Sequence, residues 1–249
     1  MLIKPAYPLI EKTQGIFLHQ VKYSDSSVIA SIYTENFGRQ SYIISGVHSK
    51  NATVKASILQ PMYILDLEVY HKPGRNLNRL KSAGIAVPYT SIPYDIRKSS
   101  LVIFLAEVLN KCLREEETNR ELYHFIFHSL TFLDLSEKGV ANFHLWFLLK
   151  LTAFLGILPN RENLSVSNYF DLKKAEFVSS EPIHPQFMDK RTTEIFARLF
   201  DLGFSNLPEL QLTGSDRQVL LQKLIEFYQI HFEFIGELKS LRVLKEVFN

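Results

Sequence analysis

The first eighty-five residues alternate short apolar runs with polar turns, a pattern typical of β-strands. In the first run, Phe17, Val21 and Tyr23 stand at period-two positions, and the polar segment 24–27 then breaks the pattern. No helical repeat intervenes within this block. The pattern predicts five strands, at residues 15–23, 28–34, 40–45, 62–70 and 77–85.

Five consecutive strands without a helix between them predict a small closed barrel, because an open sheet of this size leaves two unpaired edges. We expect an OB-type barrel. An SH3-like barrel and a half-sandwich remain as alternatives, since the number of strands does not separate these folds.

From residue 95 onward the apolar positions recur at spacings of three and four, which is typical of helices. Ser99 and Ser100 are candidate caps of the first helix, which ends in the acidic residues 115–117. A short hairpin is expected around Tyr169 and Phe170, within an irregular segment. The other predicted helices cover residues 121–135, 140–155, 191–202 and 216–248, the last with a break at Gly236.

The predicted fold class is therefore α+β. An OB-type barrel over residues 1–82 is followed by a mainly helical domain over residues 83–249, in which residues 159–188 form a separate irregular module. At 249 residues and 46% hydrophobic composition, the chain is expected to fold without disulfide cross-links.

The composition favours a reducing, cytoplasmic compartment. The single cysteine, Cys112, cannot form an intrachain disulfide or build a cysteine-based zinc site. Two prolines interrupt residues 1–8 before an apolar run develops, so no export signal is expected. The most apolar stretch, 143–158, carries Lys150 and is shorter than the roughly 20 residues that span a bilayer, so it is predicted to be a core helix.

The net charge of +2 conceals an asymmetry along the chain. Residues 1–100 carry 12 Lys and Arg against 6 Asp and Glu, whereas residues 101–249 carry 16 against 20. The first segment is thus charged +6 and the second −4. A cationic N-terminal module of this kind attracts a polyanion.

The spacing of residues along the chain excludes several kinds of catalytic site. The ten glycines are never closer than eight residues apart, so neither a GxxxxGK nor a GxGxxG phosphate loop is present. There is also no GxSxG nucleophile elbow. His124 and His128 stand one helical turn apart, but the residues between them are apolar, which favours packing over a metal site. We therefore expect no enzymatic activity, no cofactor and no metal.

What remains is a binding function. Nine basic residues lie at or beside the predicted turns of the barrel, and tyrosines near them offer stacking surfaces for unpaired bases. This combination favours a nucleic-acid partner, although cationic loops could equally serve an adaptor that binds an acidic protein. The candidate nucleic-acid-binding residues are Lys22, Arg39, His48, Lys50, Lys55, Lys72, Arg75, Arg79, Lys81 and Tyr42, with Tyr23 and Tyr70 as further stacking candidates.

A series of short segments, in a fixed order along the whole chain, resembles the RecO family of bacterial recombination mediators. The segments are 15–18 (GIFL), 23–27 (YSDSS), 33–38 (YTENFG), 46–50 (GVHSK), 59–61 (LQP), 67–70 (LEVY), 92–100 (IPYDIRKSS) and 139–146 (GVANFHLW).

The resemblance implies an N-terminal OB fold, binding to single- and double-stranded DNA, and annealing of complementary strands. It implies two protein partners, RecR and the acidic, aromatic-ended tail of the single-strand-binding protein. The tail is expected to bind in the helical domain. The biological role would be loading RecA onto coated single strands during DNA repair, in the cytoplasm at the nucleoid.

The sequence departs from the family pattern at one point. Many members carry a four-cysteine zinc module after the third helix, and the corresponding segment 159–188 contains no cysteine. If this module keeps its shape, apolar contacts from Tyr169, Phe170 and Phe177 are expected to take the place of the metal.

Overall fold

The computed structural model describes residues 10–114, 117–164 and 166–248. These residues form two compact units: the first contains the chain up to Thr90 together with Leu105–Thr131, and the second contains Ser91–Phe104 and the chain from Phe132. The domain boundary expected after residue 82 stays a prediction. The expectations for residues 1–8 and for Glu115 and Glu116 lie outside the described residues.

The first unit is built on a closed five-stranded barrel with the order β1-β2-β3-β5-β4. Strand β1 pairs with β2 and also with β4, so that the sheet closes on itself. Only the β3 and β5 pair is parallel. The OB-type barrel is confirmed, and the SH3-like alternative is excluded. The strands are β1 (Ile10–Lys22), β2 (Val28–Thr34), β3 (Gly38–Ile44), β4 (Ile64–Tyr70) and β5 (Asn78–Ile85).

Gly15 lies where β1 passes from one partner strand to the other. Its register partners are Leu65 on β4 and Thr34 on β2. A Cβ atom built on Gly15 would stand 2.6 Å from Ile32 Cγ2 and 2.7 Å from Leu67 Cδ1, far inside van der Waals contact. Glycine at this position therefore lets the barrel close over a densely packed core.

Two long helices follow the barrel, α1 (Ile96–Cys112) and α2 (Arg120–Leu135). Helix α1 begins before the expected caps, because the Asp95 carboxylate accepts the Arg97 backbone N–H at 2.8 Å. Ser99 and Ser100 lie inside the helix and donate their hydroxyls to backbone carbonyls of the preceding turn. The expectation that these serines cap α1 is therefore wrong.

The second unit is mainly helical, as expected. The break expected at Gly236 in the helical stretch 216–248 is confirmed, because two helices are separated by a segment in which Gly236 has a φ of +56°. The remaining helices and strands are α3 (Phe143–Phe154), β6 (Tyr169–Asp171), β7 (Glu176–Val178), β8 (Phe187–Met188), α4 (Lys190–Phe200), α5 (Gly214–His231) and α6 (Ser240–Val247).

A three-stranded sheet and a cluster of phenylalanines occupy the cysteine-free segment. Phe170 on β6 and Phe177 on β7 are register partners, and both are fully buried. The Phe170 ring lies 4.9 Å from Phe177 and 4.8 Å from Phe196 of α4, between ring centroids. Tyr169 packs at the margin of the sheet against Phe187, at 5.8 Å. The described residues contain no group of three or more His, Cys, Asp or Glu side chains that could hold a metal ion.

In the part of the chain that the structure describes, no helix is both long and apolar enough to cross a membrane. Helix α3, which contains the most apolar run, is instead buried along most of its length. Lys150 on this helix donates to the Phe200 carbonyl oxygen at 2.7 Å.

We expect Gly15→Ala to destabilise the barrel by about 1–3 kcal/mol, because the added methyl group overpacks Ile32 and Leu67. Hydrogen–deuterium exchange of the barrel amides measures this loss. Gly84→Ala is the matched control, since a Cβ atom at Gly84 meets nothing within 4 Å. Equal protection in the two variants would contradict the packing argument.

We expect Phe177→Ala to destabilise the second unit by about 3–5 kcal/mol, because it removes a buried ring from the phenylalanine cluster. Urea unfolding followed by the fluorescence of the single tryptophan, Trp146, reports on this unit. Ile183→Ala, at a fully exposed position, serves as the control and should change little. A chelator should leave the wild-type unfolding curve unchanged; a chelator-induced shift would show that a metal contributes.

Candidate nucleic-acid interface

One end of the barrel brings together three connecting segments: the β1–β2 turn, the segment after β3, and the β4–β5 loop. The strand register brings these segments to the same end of the barrel, since Ile43 of β3 and Tyr70 of β4 both pair with Arg79 of β5. The Val47 backbone N–H donates to the Ser26 carbonyl oxygen at 3.1 Å, which joins the segment after β3 to the β1–β2 turn.

A groove of about 610 Å³ opens at this end of the barrel. Three of its side chains are cationic and none is acidic. Among the ion pairs of the described residues, none involves any of these three cations. The groove is lined by Tyr23, Ile43, Tyr70, Lys72, Arg75, Leu77, Asn78 and Arg79.

Asn78 holds the β4–β5 loop in place. Its side chain is buried, its Oδ1 accepts the Lys72 backbone N–H at 3.1 Å, and its Nδ2 donates to the Arg75 carbonyl oxygen at 3.3 Å. The same Nδ2 donates to Oε1 of the buried Gln40 inside the barrel, at 3.1 Å. The loop that carries Lys72 and Arg75 is thus tied to the core rather than free in solvent.

The apolar part of the groove offers flat surfaces beside the cations. The Tyr23 side chain is 59% exposed at the end of β1, and Tyr70 is half-buried at the end of β4. Ile43 on the outer face of β3 and Leu77 complete this apolar surface. OB folds bind oligonucleotides with this part of the barrel, through the loops between strands 1 and 2 and between strands 4 and 5.

Four further predicted residues lie near the same end but outside the groove lining. Lys22 is exposed and forms an ion pair with Asp25 at 3.2 Å. His48, Lys50 and Lys55 are exposed on the segment that follows β3. Together with the groove they extend the cationic surface along this end of the barrel.

Three of the predicted residues do not contribute to this cationic surface. Tyr42 points into the barrel and is 0% exposed, so no base could stack on its ring. Arg39 donates to Ser31 Oγ at 3.1 Å and to Asn110 Oδ1 at 3.2 Å. Lys81 forms an ion pair with Glu68 at 3.0 Å, on another face of the barrel.

Tyr42 and Arg39 lie in surroundings typical of residues that stabilise the fold. Burial raises the pKa of Tyr42 far above its ordinary value, and its hydroxyl has no hydrogen-bond partner among the described residues. Burial, followed by the nearby Arg114, lowers the pKa of Arg39. The period-two pattern of β3 could have given the orientation of Tyr42: it places residues 40, 42 and 44 inside and Ile43 outside.

Several buried titratable groups outside the groove have surroundings typical of structural residues. Burial raises the pKa of Cys112 to about 12, so its thiol stays protonated at neutral pH. Lys98 is buried and donates to Ser91 Oγ at 2.7 Å and to the Asp134 carbonyl oxygen at 2.9 Å. Burial lowers the pKa of His144 to about 3, so this imidazole is neutral. These groups anchor the core, and none lines the cationic groove.

Comparison with known proteins agrees with this architecture. The family model for the N-terminal part of recombination protein O matches residues 9–89, and the model for its C-terminal part matches residues 93–242. The first match covers all five strands of the barrel, and the second covers helices α1 to α5 and the beginning of α6.

Similar proteins carry the name DNA repair protein RecO. The protein from Bacteroides fragilis is 38% identical over 242 residues, which is 97% of this chain and 100% of that protein. The protein from Phocaeicola vulgatus is 36% identical over 241 residues, with the same shares of both chains. The protein from Flavobacterium psychrophilum is 36% identical over 240 residues, 96% of this chain and 99% of that protein.

An OB-type barrel, a mainly helical region that follows it in the chain, and matches along nearly the full length of both chains agree with one another. The chain belongs to the recombination protein O family and has a role in DNA repair and recombination.

Proposed function

We propose that the protein is a DNA-binding recombination mediator and that the cationic groove is its DNA-binding surface. The observation that carries this proposal is the set of three cations, Lys72, Arg75 and Arg79, around a groove without a carboxylate. Cations that have no ion-pair partner among the described residues can neutralise phosphates and release counterions.

The tyrosines define how a single strand would bind. An exposed ring such as Tyr23 stacks on an unpaired base, whereas a base inside a duplex is already stacked on its neighbours. The cations would hold the backbone of either form, because phosphates are present in both. We therefore propose that the groove binds single- and double-stranded DNA, with the tyrosines contributing mainly to the single strand.

Annealing of complementary strands follows from the same electrostatics. Two DNA strands repel each other because both are polyanions, and a cationic surface that contacts both lowers this barrier. The exposed His48, Lys50 and Lys55 extend the cationic surface beyond the groove. This gives a second strand a place to contact the protein while the first occupies the groove.

We propose that the protein works with RecR and with the acidic tail of the single-strand-binding protein, in loading RecA onto coated single strands in the cytoplasm. The support is membership of the family together with the mainly helical second unit, which is compact in its own right. In this role the protein carries out no covalent chemistry.

We expect the triple variant Lys72→Ala, Arg75→Ala, Arg79→Ala to bind single-stranded DNA about 100-fold more weakly at 0.1 M salt, because each lost phosphate contact removes roughly 0.7 from the slope of log affinity against log salt. The slope should therefore become shallower by about 2. Fluorescence anisotropy of a labelled oligonucleotide over a salt series measures both quantities.

The matched control is Lys173→Ala, Lys190→Ala, Arg198→Ala, which removes the same charge from exposed positions of the second unit. An unchanged slope in the groove variant would reject the groove as the DNA site. If DNA affinity were intact in both variants while binding of an acidic protein was lost in the first, the protein would instead be an adaptor.

We expect Tyr23→Ala to weaken binding of single-stranded DNA by about 5- to 150-fold, corresponding to the roughly 1–3 kcal/mol that one stacked base contributes. Binding of a duplex of equal length should change less. Tyr94→Ala is the control, because Tyr94 is 85% exposed and lies in the second unit. An equal loss for single strand and duplex would contradict stacking at Tyr23.

A further inference from the structure

The loop between β4 and β5, which carries Lys72 and Arg75, contacts the barrel at its first residue. The His71 ring stacks on the Phe37 ring, with the ring centroids 4.0 Å apart and the ring planes inclined at 17°. Phe37 lies in the turn between β2 and β3. The stack therefore joins the start of the loop to a turn that is distant in sequence.

The end of the loop is held by the amide of Asn78, the first residue of β5. This side chain is 2% exposed, although it contributes to the lining of the cationic groove. An amide nitrogen has two hydrogens, and those of Asn78 Nδ2 are donated to the Arg75 carbonyl oxygen and to Gln40 Oε1. Its Oδ1 accepts the Lys72 backbone N–H. Asn78 thus uses its amide on the loop and the barrel, and its donors are not directed at DNA.

Gln40 connects this amide back to the start of the loop. Its side chain is 4% exposed and does not line the groove. While its Oε1 accepts from Asn78, its Nε2 donates to the Phe37 carbonyl oxygen at 2.8 Å. Since Phe37 stacks on His71, which directly precedes Lys72, these contacts form a closed ring. We refer to this set, Phe37, Gln40, His71, Lys72 and Asn78, as the contact ring.

The contact ring lies where the backbone pairing of the barrel is short. Strands β3 and β5 pair at two positions, Tyr42 with Asn78 and Ile43 with Arg79. By contrast, β2 and β3 pair over their full lengths. The buried bond between Gln40 and Asn78 is therefore a further link between β3 and β5, at the point where the loop enters β5.

We propose that Gln40 and Asn78 are positioning residues for DNA binding, which hold Lys72 and Arg75 in place before DNA arrives. This inference rests on the proposed function of the cationic groove. A loop that is ordered in advance loses less conformational entropy when DNA binds, so the affinity is higher at the same charge. The two amides therefore set the affinity, whereas the number of cations sets its salt dependence.

The experiment uses two full-length variants that do not change the charge, Asn78→Ala and Gln40→Met. We expect the affinity for a labelled single strand to fall about tenfold in Asn78→Ala and roughly threefold in Gln40→Met, because the loop is then ordered only during binding. The slope of log affinity against log salt should stay within about 0.5 of the wild-type slope, since all three cations remain.

Hydrogen–deuterium exchange measures the loop directly. The Lys72 amide, which donates to Asn78 Oδ1, should exchange faster in Asn78→Ala while the amides of the barrel strands stay protected. The matched control is Tyr33→Phe, which removes the hydrogen bond from Tyr33 Oη to the Asn119 carbonyl oxygen at 3.2 Å, in the same unit. Tyr33 does not line the groove, so DNA affinity should stay within about twofold of wild type.

The outcomes separate this inference from the proposed function. If the triple variant of the groove cations binds DNA weakly but Gln40→Met and Asn78→Ala bind as wild type does, the positioning role is overturned and the groove remains the DNA site. An equal loss in Tyr33→Phe, or a salt slope that becomes shallower by 1 or more in Gln40→Met, also overturns it. If the triple variant keeps its affinity, the proposed function fails and the positioning role fails with it. Gln40→Met decides the test alone if Asn78→Ala does not fold.

Discussion

The closure of the barrel by strand β1 is the constraint on which the rest of the first unit depends. This strand pairs with β4 through its first half and with β2 through its second half, and Gly15 lies where the two pairings meet. Because Ile32 and Leu67 fill the space above Gly15, a side chain at this position overpacks the core and makes closure less favourable. Closure then decides which loops share an end of the barrel, since every strand has two fixed neighbours.

The separation of charge on the barrel follows from that topology. The β1–β2 turn and the β4–β5 loop are distant in sequence, and they meet only because the strands that carry them are neighbours in the closed sheet. Lys72 and Arg75 of the β4–β5 loop and Arg79 of β5 line a groove without carboxylates, to which the β1–β2 turn contributes Tyr23. The acidic residues Asp66 and Glu68 lie on β4 and Glu35 lies in the β2–β3 turn, and Glu35 and Asp66 have no lysine or arginine partner among the described residues. The net charge of the whole chain, +2, therefore describes neither the cationic groove nor the acidic residues.

The sequence predicts the positions of the strands but not the complete set of residues that line the cationic groove. The apolar alternation located all five strands, because the core selects apolar side chains at every second position. It placed the start of β1 at residue 15, whereas the strand begins at Ile10. It also predicted the cationic loops. The sequence prediction gave Tyr42 a binding role because it is aromatic. The alternating pattern of β3 shows instead that its ring faces the barrel core. The contributions of Ile43 and Asn78 depend on contacts between distant strands, which no local pattern contains.

The phenylalanine cluster lies where the resemblance to the family implies that apolar contacts take the place of a zinc module. A structural zinc ion contributes roughly 10 kcal/mol or more to the folding of a small domain. Burying one large apolar side chain contributes about 1.5–3 kcal/mol, so one ring cannot replace the ion. Phe170, Phe177, Phe196 and Phe227 form a connected cluster of buried rings between the small sheet and helices α4 and α5. The combined burial of these four rings is of the same order as the metal contribution, about 6–12 kcal/mol. Because this stabilisation needs no thiolate, the stability of the second unit should not depend on metal supply or on the redox state of the cell.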